Sequence, residues 1–308
     1  MSDPPVVPPQ VAQYWTTTDE GRELMRTLPA VLHEVMRRFR LQAIGEPWPG
    51  GWVGYVVPAV RHDGTPAVLK VSLTENELPQ EADALERWDG NGAVRLLDRL
   101  PEPNAMLLER AAPGTSLLDH PDLDAAITIA CGVLRRLEVP LAEAPPFGLV
   151  TDFACRYTTW IPEDFERHGR KFDPALAAEA TAFCAMFADA AGPLHLVNGD
   201  FHRGNVLAAT SEPWLAIDPK PMAGERAYDT GHLLRDLLSD DPDDREIGRL
   251  VDRLATELDL DRERVRGWAL VRSVENALWC LDDDPDGAEG AMWAAKDAAI
   301  AGSLARLG

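Results

Sequence analysis

Between Asp19 and Leu41 the apolar residues Leu24, Met25, Leu28, Val31, Leu32, Val35 and Phe39 recur at the spacing of one helix face, with Pro29 expected to break or kink the run. A strand-rich stretch follows. Trp52 to Val60 is β-branched and aromatic, Asp63-Gly64 is a turn signal, and Ala67 to Val71 returns as a second strand. A helix from about Leu78 to Trp88 and strands at Ala93 to Leu97 and Ala105 to Leu108 complete this part, and Pro113-Gly114 marks a break. Beyond it the pattern is helical over Asp122 to Leu137, Pro174 to Ala191, Asp229 to Leu238, Arg245 to Leu258, Arg262 to Leu281 and Ala288 to Leu307. Short strands at Leu194 to Val197, Val206 to Ala209 and Trp214 to Ile217 interrupt the helices. Residues 2 to 9, SDPPVVPP, are too rich in proline for a helix. The pattern predicts an α+β chain: a loose tail over 1–18, a small β-rich N-lobe over 19–108, a linker over 109–114 and a larger helical C-lobe over 115–308.

Composition narrows the partners. The 308 residues are 45% hydrophobic and 26% charged, ordinary for a folded protein able to bury a large core. Charges interrupt every apolar run before the roughly 18 residues that a membrane span needs, and the N-terminus shows no basic start followed by an apolar block, so neither a span nor a signal peptide is expected. The four cysteines lie far apart without a CxxC pair and read as reduced, buried thiols of a cytoplasmic protein. A net charge of −21 argues against a nucleic-acid partner and fits either a cationic small molecule or a merely soluble surface.

The chemistry concentrates in LVNGDFHRGNVLAATSEPWLAID, residues 196 to 218. Asp200 is followed by Asn205 five residues later and by Asp218 thirteen beyond that, each beside a short strand. Phosphoryl transfer from ATP needs carboxylate and amide oxygens converging from adjacent loops on Mg²⁺, with a further carboxylate at the acceptor hydroxyl. Gly199 allows the tight exit of the first strand, so Asp200 is expected to act as base or orienting group, and Asn205 and Asp218 as metal ligands.

Lys70 closes the run AVLK and, by alternation, shares a face with Val68. A strand lysine of this kind holds the nucleotide phosphates when a helix carboxylate holds it; Glu81, eleven residues on, is the expected partner, with Glu77 one turn earlier as the alternative. Gly50 and Gly51, with Gly54, could bring backbone N–H groups to the triphosphate, although Gly after Pro49 is also a plain turn. The backbone of Glu109 and Ala111, entering the linker, is placed to bind adenine. Asn198 and His202 flank Asp200 and are expected to support the loop structurally, and Asp229 is expected to cap the helix it begins, to brace the loop through backbone N–H groups, or to do both. The arrangement is kinase-like, with ATP expected between the lobes.

These motifs resemble the aminoglycoside phosphotransferase family, whose fold is similar to that of protein kinases. The likeness rests on GDFHRGN at 199–205, WLAIDPK at 214–220 and AYD at 227–229. It is most similar to the branch of the streptomycin 6-phosphotransferases and hydroxyurea phosphotransferases, through EPWLAIDP at 212–219, GAVRLLD at 92–98 and MLLER at 106–110. Further matches, DGTPAVLKV at 63–71 and NALW at 276–279, extend it over most of the chain. The resemblance implies an ATP- and Mg²⁺-dependent enzyme with Asp200 as base, Asn205 and Asp218 on the metal, Lys70 and Glu81 as the phosphate-binding pair and adenine at 109–111. The chain departs from the family pattern at Asn198, where His is usual, at Phe201, where Leu is usual, and at Glu225-Arg226, where Asp-Pro is usual.

The acceptor expected first is streptomycin or a similar polycation, with antibiotic resistance as the role. Glu275 and the run Asp282-Asp283-Asp284 would grip its cationic groups, with Asn276 and Trp279 lining the pocket; a solvated helix end is the plainer account of the Asp run. The alternatives are a peptide or nucleoside antibiotic, hydroxyurea, or a nucleotide-binding protein without turnover. The signature of a protein-kinase activation loop is absent after Asp218.

Overall fold

Alternating side chains turn the strand-rich first part of the chain into an antiparallel sheet with one greasy face. In a computed structural model that describes residues 6–48, 54–72, 77–142, 146–189, 192–284 and 287–308, two helices come first, α1 (Pro9–Trp15) and α2 (Asp19–Arg38). The strands β1 (Leu41–Ile44), β2 (Gly54–Arg61), β3 (Pro66–Ser72), β4 (Leu96–Leu100) and β5 (Ala105–Glu109) then align in the order β1-β2-β3-β5-β4. Tyr55, Val57, Ala59, Ala67, Leu69, Val71, Ala105 and Leu107 form one core with Val11, Trp15, Leu28, Leu32, Val35 and Phe39 of the helical segment. The intervening residues lie on the opposite face, where the register sets Lys70 beside Val56 and Met106. Burial of alternate side chains on one face is what fixes that register, since a one-residue slip would reverse every position.

Two expectations need correcting here. Residues 9–15, assigned to the loose tail over 1–18, form α1, because Val11 and Trp15 bury themselves in the core just described. Pro29 neither ends nor splits α2, which runs on to Arg38. A proline inside a helix costs about 3 kcal/mol; buried Leu28 and Leu32 on either side of it supply packing that offsets this.

The chain divides into two compact units, Met1–Thr115 with Leu207–Lys220, and Ser116–Val206 with Pro221–Gly308. The first unit also contains α3 (Glu77–Trp88). It reclaims residues 207–220 from the stretch over 115–308 that the pattern assigned to the helical lobe. The cause is backbone pairing: Ala208 N–H donates to Thr115 O (2.9 Å), Gly114 N–H to Ala208 O (3.0 Å) and Ala216 N–H to Gly92 O (2.8 Å).

The second unit is mainly helical: α4 (Leu123–Arg136), α5 (Val150–Arg167), α6 (Pro174–Ala188), α7 (Thr230–Leu237), α8 (Asp244–Leu258), α9 (Arg262–Asp283) and α10 (Ala288–Arg306). It holds a small sheet in the order β6-β8-β11-β7, built from β6 (Val139–Pro140), β7 (Gly148–Leu149), β8 (His195–Val197) and β11 (Met222–Gly224). The two-stranded sheet of β9 (Val206–Ala208) and β10 (Trp214–Ala216) stands at the crossing between units in sequence. An aromatic cluster anchors the helices, with Trp268 stacked on Phe187 (4.1 Å between centroids) and edge-on to Tyr228 (4.9 Å). Gly231 lets α7 approach α9, since a Cβ there would lie 2.9 Å from Trp268 O. The helix α5 is absent from the pattern-based expectation, and Cys155 within it is exposed rather than buried; all four cysteines are free.

Candidate active site

The first unit carries a buried charge cluster on the sheet face away from its helical core. Lys70 Nζ donates to both carboxylate oxygens of Glu81, at 2.9 and 2.7 Å, and to Asp218 Oδ1 at 2.5 Å. Lys70 is 6% exposed and Glu81 3%, so charge has been taken out of water and must be compensated locally. Burial by itself would lower the Lys70 pKa, but the Glu81 and Asp218 carboxylates overcome it and keep the ammonium charged. Burial also pushes Glu81 up, opposed by Lys70; with the ammonium against both oxygens, the charged pair is the form the geometry supports. Asp218 is held below its ordinary value because Lys70 and Lys220, 3.7 Å away, outweigh the effect of burial. Its φ of 49° places it in the left-handed region, a strained conformation of the kind that collects at functional sites.

The remaining members of that unit are less informative. Glu109 donates its backbone N–H to Arg95 O (2.8 Å), so that group is not available to an adenine ring; Ala111 lies in irregular backbone two residues on. Gly50 and Gly51 lie outside the described residues.

In the second unit the turn after β8 is held by carboxylates at the two ends of α7. Asp229 does not cap α7 with its side chain. Its Oδ2 accepts from Asn198 N–H (2.8 Å) and its Oδ1 from Gly199 N–H (2.7 Å). Burial raises the Asp229 carboxyl to about 6, against the pull of these two N–H groups. Gly199 takes φ of 81°, which a residue with a Cβ adopts only with strain. Asn198 turns its Oδ1 toward Asp200 N–H (3.1 Å), and Asn205 Nδ2 donates to Asp200 O (3.1 Å), so the loop closes on itself around Asp200. His202 Nδ1 accepts from Gly204 N–H at 3.1 Å, a local turn contact. Asp236 holds the far side of the loop, accepting from Arg203 N–H (2.8 Å) and Arg203 Nε (2.9 Å). The Asp200 side chain is 30% exposed, with His232 Nδ1 4.0 Å from its Oδ1.

Asp236, Arg203 and His232 join the loop's contacts only in the folded structure. A signal for two of them was present: Asp229, His232 and Asp236 recur at i, i+3 and i+7 between leucines, a polar stripe on one helix face.

The residues expected to grip a cation have partners inside the chain. Glu275 is bound by Arg272 Nη1 (2.6 Å) and by the Tyr157 hydroxyl. Asn276 Nδ2 donates to Asp297 Oδ2 (2.6 Å), and Asp282 Oδ1 pairs with Arg167 (2.5 Å). Trp279 is 58% exposed.

A family model described as aminoglycoside/hydroxyurea antibiotic resistance kinase matches residues 38–284. Streptomycin 6-kinase of Streptomyces glaucescens is 36% identical over 271 residues, covering 86% of this chain and 87% of that protein. Hydroxyurea phosphotransferase of Kitasatospora aureofaciens is 38% identical over 265 residues, covering 85% and 76%. Among solved structures, an aminoglycoside phosphotransferase in ternary complex with AMP-PNP and hygromycin B superposes with a TM-score of 0.61 at 18% identity, over 89% of this chain and 98% of that one. A choline/ethanolamine kinase family protein of Mesorhizobium loti gives 0.61 at 16% identity, over 89% and 94%. The fold is therefore protein-kinase-like.

Proposed function

Because this chain belongs to the aminoglycoside/hydroxyurea antibiotic resistance kinase family, we propose that it transfers the γ-phosphoryl group of ATP to a hydroxyl of a small antibiotic, a streptomycin-type aminoglycoside first. The observation that carries this reading is the braced loop: two backbone N–H groups on Asp229 and one on Asn198 present the Asp200 carboxylate at the end of a strand. Asp200 takes the acceptor proton as the hydroxyl oxygen bonds to the γ-phosphorus, and the bond to the β–γ bridging oxygen breaks to release ADP. Lys70, fixed by Glu81, binds the phosphates, and the backbone from Glu109 to Ala111, apart from the engaged Glu109 N–H, meets the adenine.

Asp218 and Asn205, each taken by itself, would offer Mg²⁺ a suitable oxygen. Asp218 offers a carboxylate kept ionised by its lysine neighbours, and Asn205, whose Nδ2 is engaged with Asp200 O, offers its amide oxygen; both are hard oxygen donors of the kind Mg²⁺ prefers. When bound, the ion neutralises charge on the phosphates. Among the described residues no helix is long and apolar enough to cross a membrane, and a cytoplasmic site, where ATP is at hand, completes the proposal.

One observation favours a second acceptor class. Glu275, the leading candidate to grip a cation, is already neutralised by Arg272 and hydrogen-bonded by Tyr157, an arrangement that suits a small uncharged acceptor such as hydroxyurea. ADP release measured with streptomycin, other aminoglycosides and hydroxyurea, with Asp200→Ala as control and mass spectrometry of the products, tests both. Turnover of aminoglycosides alone supports the first reading, turnover of hydroxyurea alone the second, and ATP binding without turnover of any acceptor refutes the enzyme.

A further inference from the structure

His232 sits between the proposed base and a buried arginine, and the arginine settles which of its ring nitrogens carries the proton. Arg272 is 8% exposed and lies over the rings of Phe153 (5.5 Å) and Tyr228 (5.3 Å). Its Nη1 binds Glu275 Oε2 at 2.6 Å, and Glu275 Oε1 accepts from the Tyr157 hydroxyl. Its Nη2 contacts His232 Nε2. A guanidinium has only donors, so His232 Nε2 must present its lone pair and the ring proton belongs on Nδ1. That nitrogen is the one 4.0 Å from Asp200 Oδ1.

We propose that His232 is a positioning residue: a neutral imidazole whose Nδ1–H is aimed at Asp200, holding the carboxylate in the orientation in which it meets the acceptor hydroxyl. The inference rests on the reading of Asp200 as the base. The chain Tyr157, Glu275, Arg272, His232 and Asp200 is then a line of hydrogen-bonding groups, each orienting the next, and the role of Glu275 is to set Arg272 rather than to meet a ligand. The 4.0 Å gap exceeds a hydrogen bond; contacts of this kind tighten when the substrate binds. Burial first, then the positive charge of Arg272 and Arg235 and the nearby His202, also drives His232 down to about 2. With its lone pair at Nε2 turned to Arg272 and its protonation disfavoured, the ring does not take the hydroxyl proton and serves as a donor at Nδ1.

The experiment has two arms on the full-length chain. In the first, two-bond ¹⁵N–¹H correlation of the wild-type histidines is expected to show His232 with a protonated, pyrrole-type Nδ1 and a bare, pyridine-type Nε2. The reverse tautomer, or an imidazolium, overturns the proposal whether or not the protein turns over. In the second, His232→Leu is expected to lower kcat by about 10- to 100-fold, the loss typical of removing a group that orients a reacting one, with KM for ATP and acceptor changed less than about threefold. His232→Asn, whose amide N–H falls near the position of Nδ1–H, is expected to recover most of that rate. Equal losses in both variants, or an unchanged kcat in His232→Leu, overturn it. Wild type inactive toward every acceptor would instead sink the kinase reading, and the first arm would still decide the tautomer.

Discussion

Replacing Asp229 by Asn removes one acceptor and, above about pH 6, a buried negative charge whose desolvation cost offsets part of the loss. The carboxylate lies buried and satisfies two backbone donors with two different oxygens, Asn198 N–H at 2.8 Å and Gly199 N–H at 2.7 Å. An amide has a single oxygen, so one N–H of the loop is left facing an NH₂ group with no water to take its place. A buried donor without a partner costs about 1–3 kcal/mol, and hydrogen bonds to a charged group lie toward the upper end. With the relief of that buried charge set against the orphaned donor, we expect Asp229→Asn to lose about 1–2 kcal/mol, and Asp229→Ala, which orphans both donors, about twice as much. The assay is urea denaturation followed by tryptophan fluorescence, at pH above about 7, where a carboxyl with a value of about 6 is ionised. Trp268 reports on the second unit, and if the units unfold separately only its transition should move. Turnover should fall with it, because the same two N–H groups set the backbone that leads into Asp200. A loss under about 0.5 kcal/mol in Asp229→Asn, or an Ala variant no worse than the Asn one, would refute the account of Asp229 as a two-oxygen brace.

Other expectations are as direct. Lys70→Met should cost about 3–5 kcal/mol by leaving Glu81 buried without its partner, while Lys70→Met with Glu81→Leu should recover much of that in the same denaturation assay; additive losses would mean that the pair is not coupled. The pH dependence of stability has two opposed parts. His232 has a folded value of about 2, below its usual 6.5, so its contribution is complete above about 6.5 and is lost as pH falls toward 2. Asp229, raised from 3.8 to about 6, contributes below about 3.8 and loses that contribution as pH rises through 6. Subtracting the pH profile of His232→Asn from that of wild type should isolate the first, and a flat difference between pH 3 and 6.5 would contradict a buried neutral imidazole. Glu275→Gln should lower kcat for charged and uncharged acceptors alike, since Glu275 meets Arg272 and Tyr157; a raised KM confined to cationic acceptors would make it a ligand-binding residue instead.

Much of the chain was legible because the relevant signals are local. Alternation along β3 separates Leu69 and Val71, in the helical core, from Lys70 on the other face, and a period of two is visible in any window of a few residues. Helix α5 was invisible for the converse reason. Val150, Thr151, Thr158, Thr159 and Ile161 are β-branched and Pro162 lies near its end, so local preference argues against a helix; Phe153, Ile161 and Phe165 buried along one side are what sustain it.

Local spacing marks where reacting groups could lie: a carboxylate after a glycine-permitted turn, an amide five residues on, a lysine on the strand face away from the helical core. Spacing and backbone freedom are properties of neighbours in the chain. The company those groups keep is set by the folded arrangement. Asp218 shares Lys70 across 148 residues of chain, and Tyr157 meets Glu275 across 118. Whether an acidic residue is a ligand-seeking anion or an internal counter-charge depends on which cation the fold brings within about 3 Å, and Coulomb energy in a buried site follows distance and burial, not position in sequence.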